Sequence, residues 1–331
     1  MLKYILKRLL LAVLVLLGVS LIIYMLVRAM PMDIVSKKIA EISASGSSPD
    51  AATIETMKQQ YGLEDDTFLG VIKGYGNWLL NMVKFDFGIS FAYEEPVVDV
   101  IRDNMGVSFA VALIATVFEF MIAIPLGITA ATHQYSIRDY VVTVLVMVGI
   151  SMPSFFFGQI LKDVLAMKLQ WFPPSGLIDT TKVDPNFMEM LLDYARHMFI
   201  PILTMVILSI GGRMRMTRTN MLEVLSSDYI RTARAKGLKE RVVIYKHAFR
   251  NTLIPLVTSL AGLLPSLFSG AIITEQVFDL PGIGNMAFKA MTNGDIPFIM
   301  GYNMFLALLS VIGVLLADLM YAVVDPRVKL K

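Results

Sequence analysis

Few residue types can carry out chemistry, and this chain holds little of the usual equipment. Its 331 residues include no cysteine, which removes disulfides, thiolate metal sites, iron–sulfur clusters and cysteine nucleophiles together. Three histidines, His133, His197 and His247, stand far apart and leave little for a histidine-based metal site; His-Glu-x-x-His is absent. A phosphate-cradling loop needs Gly-Lys followed by Ser or Thr, and no Gly-Lys pair occurs. Gly282-Ile-Gly284-Asn-Met-Ala287 imitates a dinucleotide fingerprint, but it follows Pro281 and an apolar run rather than a strand in a βαβ unit. Asp86-Phe87-Gly88 echoes a kinase motif without the rest of the kinase set. No residue is assigned a catalytic role, and no metal or cofactor is expected in this chain.

Two kinds of residue remain as candidates. Glu119 and Asp318 are ionisable groups within long apolar runs, where a charge costs roughly 2.5–3.5 kcal/mol on insertion scales and marks function by default. Asp318 reads as a structural partner of a neighbouring helix. For Glu119, lining a cavity and pairing within the bundle both stay open. The second kind is a basic stretch, Ser226-Ser227-Asp228-Tyr229-Ile230-Arg231-Thr232-Ala233-Arg234-Ala235-Lys236-Gly237-Leu238-Lys239-Glu240-Arg241. Ser227 or Asp228 can cap a helix start, and Gly237 suits the left-handed position that ends one. A short helix, a corner and a second helix follow. They serve either as a topology-setting loop or as a docking element for a cytoplasmic partner.

The elements that position these residues are membrane helices. Hydrophobic residues make up 56% of the chain and charged ones 17%, with mean hydropathy +0.66, against about a quarter charged in soluble domains. The net charge of +2 gives no argument for nucleic acid. Six segments approach the roughly 20 apolar residues that a spanning helix needs: 9–27, 107–131, 140–161, 198–212, 253–274 and 298–324. The first exceeds a signal-peptide core and no cleavage site follows it, so it reads as a retained anchor. The fourth is short, and charge decides it. With both termini inside, pieces 1–8, 133–139, 213–252 and 325–331 hold 17 of the 29 Lys and Arg residues, as the positive-inside tendency requires. Dropping the fourth span would expel the basic 213–252 loop. Prolines 125, 153, 201, 255 and 265 fall inside the spans and predict kinks. Segment 31–103 is too polar to span. Asp50 can cap a helix over 51–61, and 68–84 predicts an amphipathic helix bearing Trp78, with Leu79, Leu80 and Val83 on its apolar side. It reads as an outer subdomain.

Tyr229-Ile-Arg-Thr-Ala-Arg-Ala-Lys-Gly237-Leu238, then His247-Ala-Phe-Arg250-Asn251 and Leu253-Ile254-Pro255, resembles the cytoplasmic loop of ABC importer permeases, dipeptide, oligopeptide and nickel subfamily. The likeness extends to Tyr4-Ile-Leu-Lys-Arg8, Phe85-Asp86-Phe87-Gly88-Ile-Ser90-Phe91, Ser151-Met-Pro153-Ser154-Phe155, Trp171-Phe-Pro173-Pro-Ser-Gly176, Glu275-Gln-Val-Phe278-Asp-Leu-Pro281-Gly282-Ile-Gly284 and Asp318-Leu-Met-Tyr321-Ala-Val-Val-Asp325-Pro326-Arg327. It covers the chain from end to end. One departure matters: the general loop motif carries Glu-Ala-Ala, whereas Arg231-Thr232-Ala233 stands here, so no glutamate role is carried over.

The resemblance implies an all-α polytopic protein with the permease core of type I ABC importers. Four stretches follow from it: an N-terminal end and first span at 1–30, the extracytoplasmic subdomain at 31–103, the core at 104–323 with its coupling loop 213–252, and a cytoplasmic tail at 324–331. It implies a non-catalytic subunit of a binding-protein-dependent importer in a bacterial or archaeal cell membrane. The implied partners are a second permease, two cytoplasmic ATPases that hold ATP and Mg, an extracytoplasmic substrate-binding protein and membrane lipid, with no nucleic acid. Coupling is expected at Tyr229, Arg231, Thr232, Ala233, Arg234, Ala235, Lys236, Gly237 and Leu238, and the pathway at Glu119, Ser151 and Pro153. Peptides are the expected cargo; a nickel-chelate permease of the same subfamily is the alternative. A self-contained secondary transporter is the competing class, but it calls for more intramembrane carboxylates and repeated broken helices.

Overall fold

The computed structural model describes residues 2–28, 67–181, 184–259 and 262–324. The expected helix over 51–61 and the tail 325–331 lie outside them. The described residues are helical, without strands; one antiparallel bridge pairs Ile89 with Pro96. By internal contacts the chain divides into two units, one of 1–105 with 286–312, the other of 106–285 with 313–330.

In the first unit, helix α1 (Leu2–Arg28) is the first apolar run. Helix α2 (Phe68–Val83) starts at Thr67, whose hydroxyl accepts from the Gly70 amide at 3.2 Å. The bridge at Ile89 and Pro96 closes a tight loop before α3 (Val97–Thr132). Asp295, fully buried, fastens that loop by accepting from Ser90 Oγ and the Ala92 amide, and it also caps α13 (Ile296–Val324) through the Phe298 amide. The Tyr93 hydroxyl donates to the Met286 carbonyl at 2.8 Å, and burial, with the Asp295 charge nearby, pushes its pKa up to about 12.

The second unit holds α4 (Ile137–Ser151), α5 (Ser154–Leu161), α6 (Phe187–Leu225), α7 (Asp228–Ala235), α8 (Glu240–Val242), α9 (Arg250–Ser259), α10 (Leu263–Phe268) and α11 (Ile272–Val277). Helix α12 (Ile283–Thr292) follows. Wider π-type turns at Lys162–Lys168 and Val243–Phe249 extend α5 and join α8 to α9. Three small cores form where α3 packs on α6; at one crossing, a Cβ on Gly127 would meet Thr217 Cβ at 2.6 Å. Small residues at such crossings let membrane helices approach closely.

Among the described residues, four helices are long and apolar enough to cross a membrane: Leu6–Arg28, Val97–Thr132, Phe187–Leu225 and Ile296–Asp318. The expected third span, 140–161, is not straight. It bends by 101° between α4 and α5, at Met152 and Pro153, because Pro153 cannot continue the α4 ladder. The short fourth segment, 198–212, is the apolar middle of a 39-residue helix that starts at an Asn186/Glu189 capping box. That helix is about 58 Å long at 1.5 Å per residue, so residues 213–225, read as loop, are helix. The fifth segment, 253–274, is divided among α9, α10 and α11. Six continuous spans are therefore not found among the described residues; bent or broken pieces stand where two were expected.

Candidate functional site

The basic segment forms the helix–corner–helix that its sequence predicts. Helix α7 begins after Ser227, although no side-chain cap bond forms there; the Ser227 hydroxyl donates back to the Val224 carbonyl instead. The helix ends at Gly237, whose φ of +75° lies in the left-handed region, where a side chain costs roughly 1–2 kcal/mol. Bonds from the Gly237 amide to Arg234 O (2.9 Å) and from the Lys236 amide to Thr232 O (3.1 Å) close the last turn. Arg234 then reaches across the corner to Glu240, at 2.7 and 3.2 Å. The Arg234 guanidinium holds the Glu240 carboxyl below the usual carboxylate range.

One face of α7 is anchored. Ile230 and Ala233 are buried against Ile128 and Ala131 of α3, Met221 of α6, and Val243 and Ala248 beyond the corner. The other face is open: Tyr229, Arg231, Thr232, Arg234, Ala235, Lys236, Gly237 and Leu238 are exposed. Ala233 thus points into its own protein. Of the expected coupling residues it is the one whose side chain is turned away from any partner. Tyr229 is also tied to the following helix, its hydroxyl accepting from Asn251 Nδ2 at 3.1 Å.

A second arrangement surrounds Glu119. Its Oε1 accepts from Arg213 Nε at 3.0 Å, and the Arg213 guanidinium lies 4.5 Å from the centre of the Phe120 ring. Both side chains are largely buried. Glu119 is thus paired within the bundle, and its side chain also borders a cavity of about 340 Å³. Thr116, Glu119, Ser209, Ser266 and Thr274 supply its polar atoms amid Ala, Met and Leu side chains. The Ser209 and Ser266 hydroxyls donate to their own helices, at the Met205 and Leu263 carbonyls. Their protons are thereby occupied, which leaves these oxygens as acceptors. Since Arg213 neutralises Glu119, the wall presents dipoles rather than net charge.

Ser151 and Pro153 are not among the residues that line this cavity. Ser151 donates to the Met147 carbonyl at 2.7 Å at the end of α4, and Pro153 opens α5 after the bend. Sequence reasoning missed Arg213, counted with the loop charges, and the hydroxyl ring. Ala112, Ala115, Thr116 and Glu119 do follow i, i+3, i+4, i+7 spacing, which puts them on one helix face.

Two further polar clusters brace this unit. Glu275, 2% exposed, accepts from Ser108 Oγ (2.7 Å) and from the amides of Ala271 (3.0 Å) and Asn285 (2.9 Å). Asp139 takes a two-pronged bond from Arg218, Nε at 3.0 Å and Nη2 at 2.9 Å, and another from the Tyr135 amide. Beside them, Lys162 donates to the Val277 carbonyl at 2.8 Å.

Comparison with known proteins places these features. Residues 123–330 match the family described as binding-protein-dependent transport system inner membrane component, and residues 1–112 match the N-terminal family of such membrane components. The chain is 36% identical to the oligopeptide transport system permease protein AppB of Bacillus subtilis (strain 168), over 99% of this chain and 100% of that protein. It is 31% identical to the dipeptide transport system permease protein DppB of Alkalihalophilus pseudofirmus, over 99% and 100%. Among solved structures, it is similar to a chain of the inward-facing MetNI methionine ABC transporter. The TM-score is 0.50 at 17% identity, covering 69% of this chain and 97% of that one; this likeness concerns the fold.

Proposed function

This chain belongs to the family of binding-protein-dependent transport system inner membrane components, and on that premise we propose that it forms half of the membrane pathway of an ATP-driven peptide importer. It works beside a second permease, two cytoplasmic ATPases and an extracytoplasmic binding protein, with both of its termini in the cytoplasm. The observation that carries this reading is α7, a short basic helix seated by Ile230 and Ala233 on the ends of α3 and α6, with its charged face free. An element held that way transmits displacement, because the close-packed cluster beneath it has low compressibility and passes the motion on. The ATPases supply the stroke. Helix α7 moves with them, and α3 and α6 carry the motion to the cavity beside Glu119. The oligopeptide and dipeptide names of its relatives support peptides as cargo, as does the neutral, acceptor-rich cavity wall.

The test is reconstitution of the complete complex in proteoliposomes. Uptake of labelled peptides should require ATP and the binding protein. Thr116→Trp should abolish it by filling the cavity, while the ATPases still co-purify. Uptake of a nickel chelate but no peptide would overturn the cargo assignment, and ATP-independent uptake by the chain alone would overturn the mechanism.

A further inference from the structure

Helix α2 was expected within a polar outer segment, with Trp78, Leu79, Leu80 and Val83 toward one apolar side. The structure distributes them differently. Gly74, Trp78 and Met82 form the packed face. Trp78 packs tilted and Tyr75 edge-on against Tyr24 of α1, ring centroids 5.9 and 5.6 Å away. The other face exposes Leu69 (77%), Ile72 (52%), Leu80 (61%) and Val83 (72%). These positions stand at i, i+3, i+11 and i+14, a single stripe with Gly76 in its gap. Of sixteen residues only Lys73 is charged. In water this stripe would be an uncompensated apolar surface.

Where α2 meets α1 gives its depth. The Tyr75 hydroxyl lies 2.8 Å from Ser20 Oγ and 3.2 Å from the Leu17 carbonyl, and Leu79 shares a cavity wall with Leu16. The spanning part of α1 ends at Arg28. At 1.5 Å per residue, Ser20 and Leu17 lie roughly 12 and 16 Å from that end. The hydrocarbon layer is about 30 Å thick, so contact is made roughly two-fifths to just over half of the way through it. Helix α2 itself, about 24 Å long, is too short to cross. At the same level α1 exposes Leu21, Ile22, Met25 and Leu26, the lipid-facing surface of a span, and the α2 stripe continues it.

We propose that α2 is a membrane-embedded helix of the leaflet at the Arg28 end of α1, and that lipid acyl chains cover its Leu69–Ile72–Leu80–Val83 face. Tyr24, Tyr75 and Trp78 pin it to the span. Lys73 and Lys84, both exposed at the edges of the stripe, extend their stems along apolar surface and reach their ammonium groups toward the headgroups. The helix therefore anchors the outer part of the first unit in the bilayer. This goes beyond the transport reading and holds whichever cargo is carried.

The absence of native cysteine makes the test clean. Ile72→Cys, Leu80→Cys and Val83→Cys, each nitroxide-labelled, are compared in the full chain in phosphatidylethanolamine–phosphatidylglycerol vesicles. Leu14→Cys on α1 is the lipid reference and Glu95→Cys the aqueous one. All three α2 sites should collide several-fold more with oxygen than with a water-soluble nickel chelate, as the Leu14 site does. Matching the Glu95 site would overturn the proposal by placing the stripe in water. Shielding from both agents would overturn it too, by showing a protein partner on that face. A second measurement leaves α2 unaltered: in a Trp171→Phe background, lipids brominated along the acyl chain should quench Trp78 more than headgroup-restricted quenchers do, and the reverse order would refute the assigned depth.

Discussion

Replacing Gly237 separates backbone geometry from side-chain contact at the corner after α7, where coupling is proposed. A Cβ built there meets nothing within 4 Å, so the cost of a side chain lies in the backbone alone. At φ +75° that is roughly 1–2 kcal/mol for alanine. It is more for a β-branched residue and less for asparagine, which tolerates the left-handed region. Little else restrains the corner. Leu238 N reaches Ala233 O at a long 3.4 Å, and the Arg234–Glu240 pair is half exposed, a setting in which ion pairs contribute about 0–1 kcal/mol. The strain is therefore relieved by re-aiming the corner, since Ile230 and Ala233 hold the helix body. At roughly 1.4 kcal/mol per tenfold change, the correctly aimed population falls about 5–30-fold. Uptake and binding-protein-stimulated ATPase activity in proteoliposomes should decline in the order Gly237, Gly237→Asn, Gly237→Ala, Gly237→Val, with insertion of the chain unchanged. A Gly237→Val complex that couples like the parent would refute the mechanical role. An asparagine as damaging as valine would show that side-chain contact, not φ, is what matters.

Glu275→Gln should lower the thermal stability of the purified complex by about 1–3 kcal/mol, because an amide NH₂ must then face one of the donors that now bond the carboxylate; Glu275→Ala should cost more, and equal midpoints for all three would refute the cluster. Asp139→Ala, leaving Arg218 without its two-pronged acceptor, should cost about 3 kcal/mol by the same measurement, with Arg218→Ala no worse in combination than alone. Because Arg234 lowers the Glu240 value, the bond contributes above the ordinary carboxylate range and is lost as pH falls through that lowered value. A nitroxide at Leu238→Cys should loosen only on that acid side, and Glu240→Gln should remove the transition.

Much of the membrane layout was legible, because apolar runs report burial in lipid directly. What hydropathy could not report is continuity. Segment 140–161 sums to one span, yet Pro153 splits it by 101°; the proline was visible, but its angle depends on what α5 packs against. Segment 198–212 looked short because the charges of Arg213, Arg215 and Arg218 cut the apolar window, although the helix runs on to Leu225. Glu119 was legible as an intramembrane carboxylate. Its partner was not, since a pairing across 94 positions leaves no local pattern. The inward side of α7 was within reach: Ile230 and Ala233 stand three apart on a helix that carries Asp228, Arg231 and Arg234, and that spacing marks the buried face. The packed side of α2 was not, because both of its faces are apolar and only tertiary contact with Tyr24 chooses between them.

The two candidate sites are joined by the same pair of helices. Ile128 and Ala131, beneath α7, follow Glu119 on α3; Met221, also beneath α7, follows Arg213 on α6. Between these levels the helices are fastened at Gly127 and Thr217, where no methyl group fits, and Arg218 ties α6 to the start of α4 through Asp139. A close-packed block fastened at three levels moves as a body, because separating its helices would strip a buried ion pair of its partner. The opposite wall of the cavity differs. Ser266 and Thr274 sit on the short helices α10 and α11, and α11 is held to the rest by the bonds Glu275 accepts from Ser108 and Asn285 and by the bond from Lys162 to Val277. In the proposed mechanism, a stroke delivered at α7 would displace the Glu119 wall as a unit against a wall built from separate pieces. On that proposal the cavity would change its opening while the Glu119–Arg213 pair stays intact, sparing the cost of exposing either charge alone in the membrane.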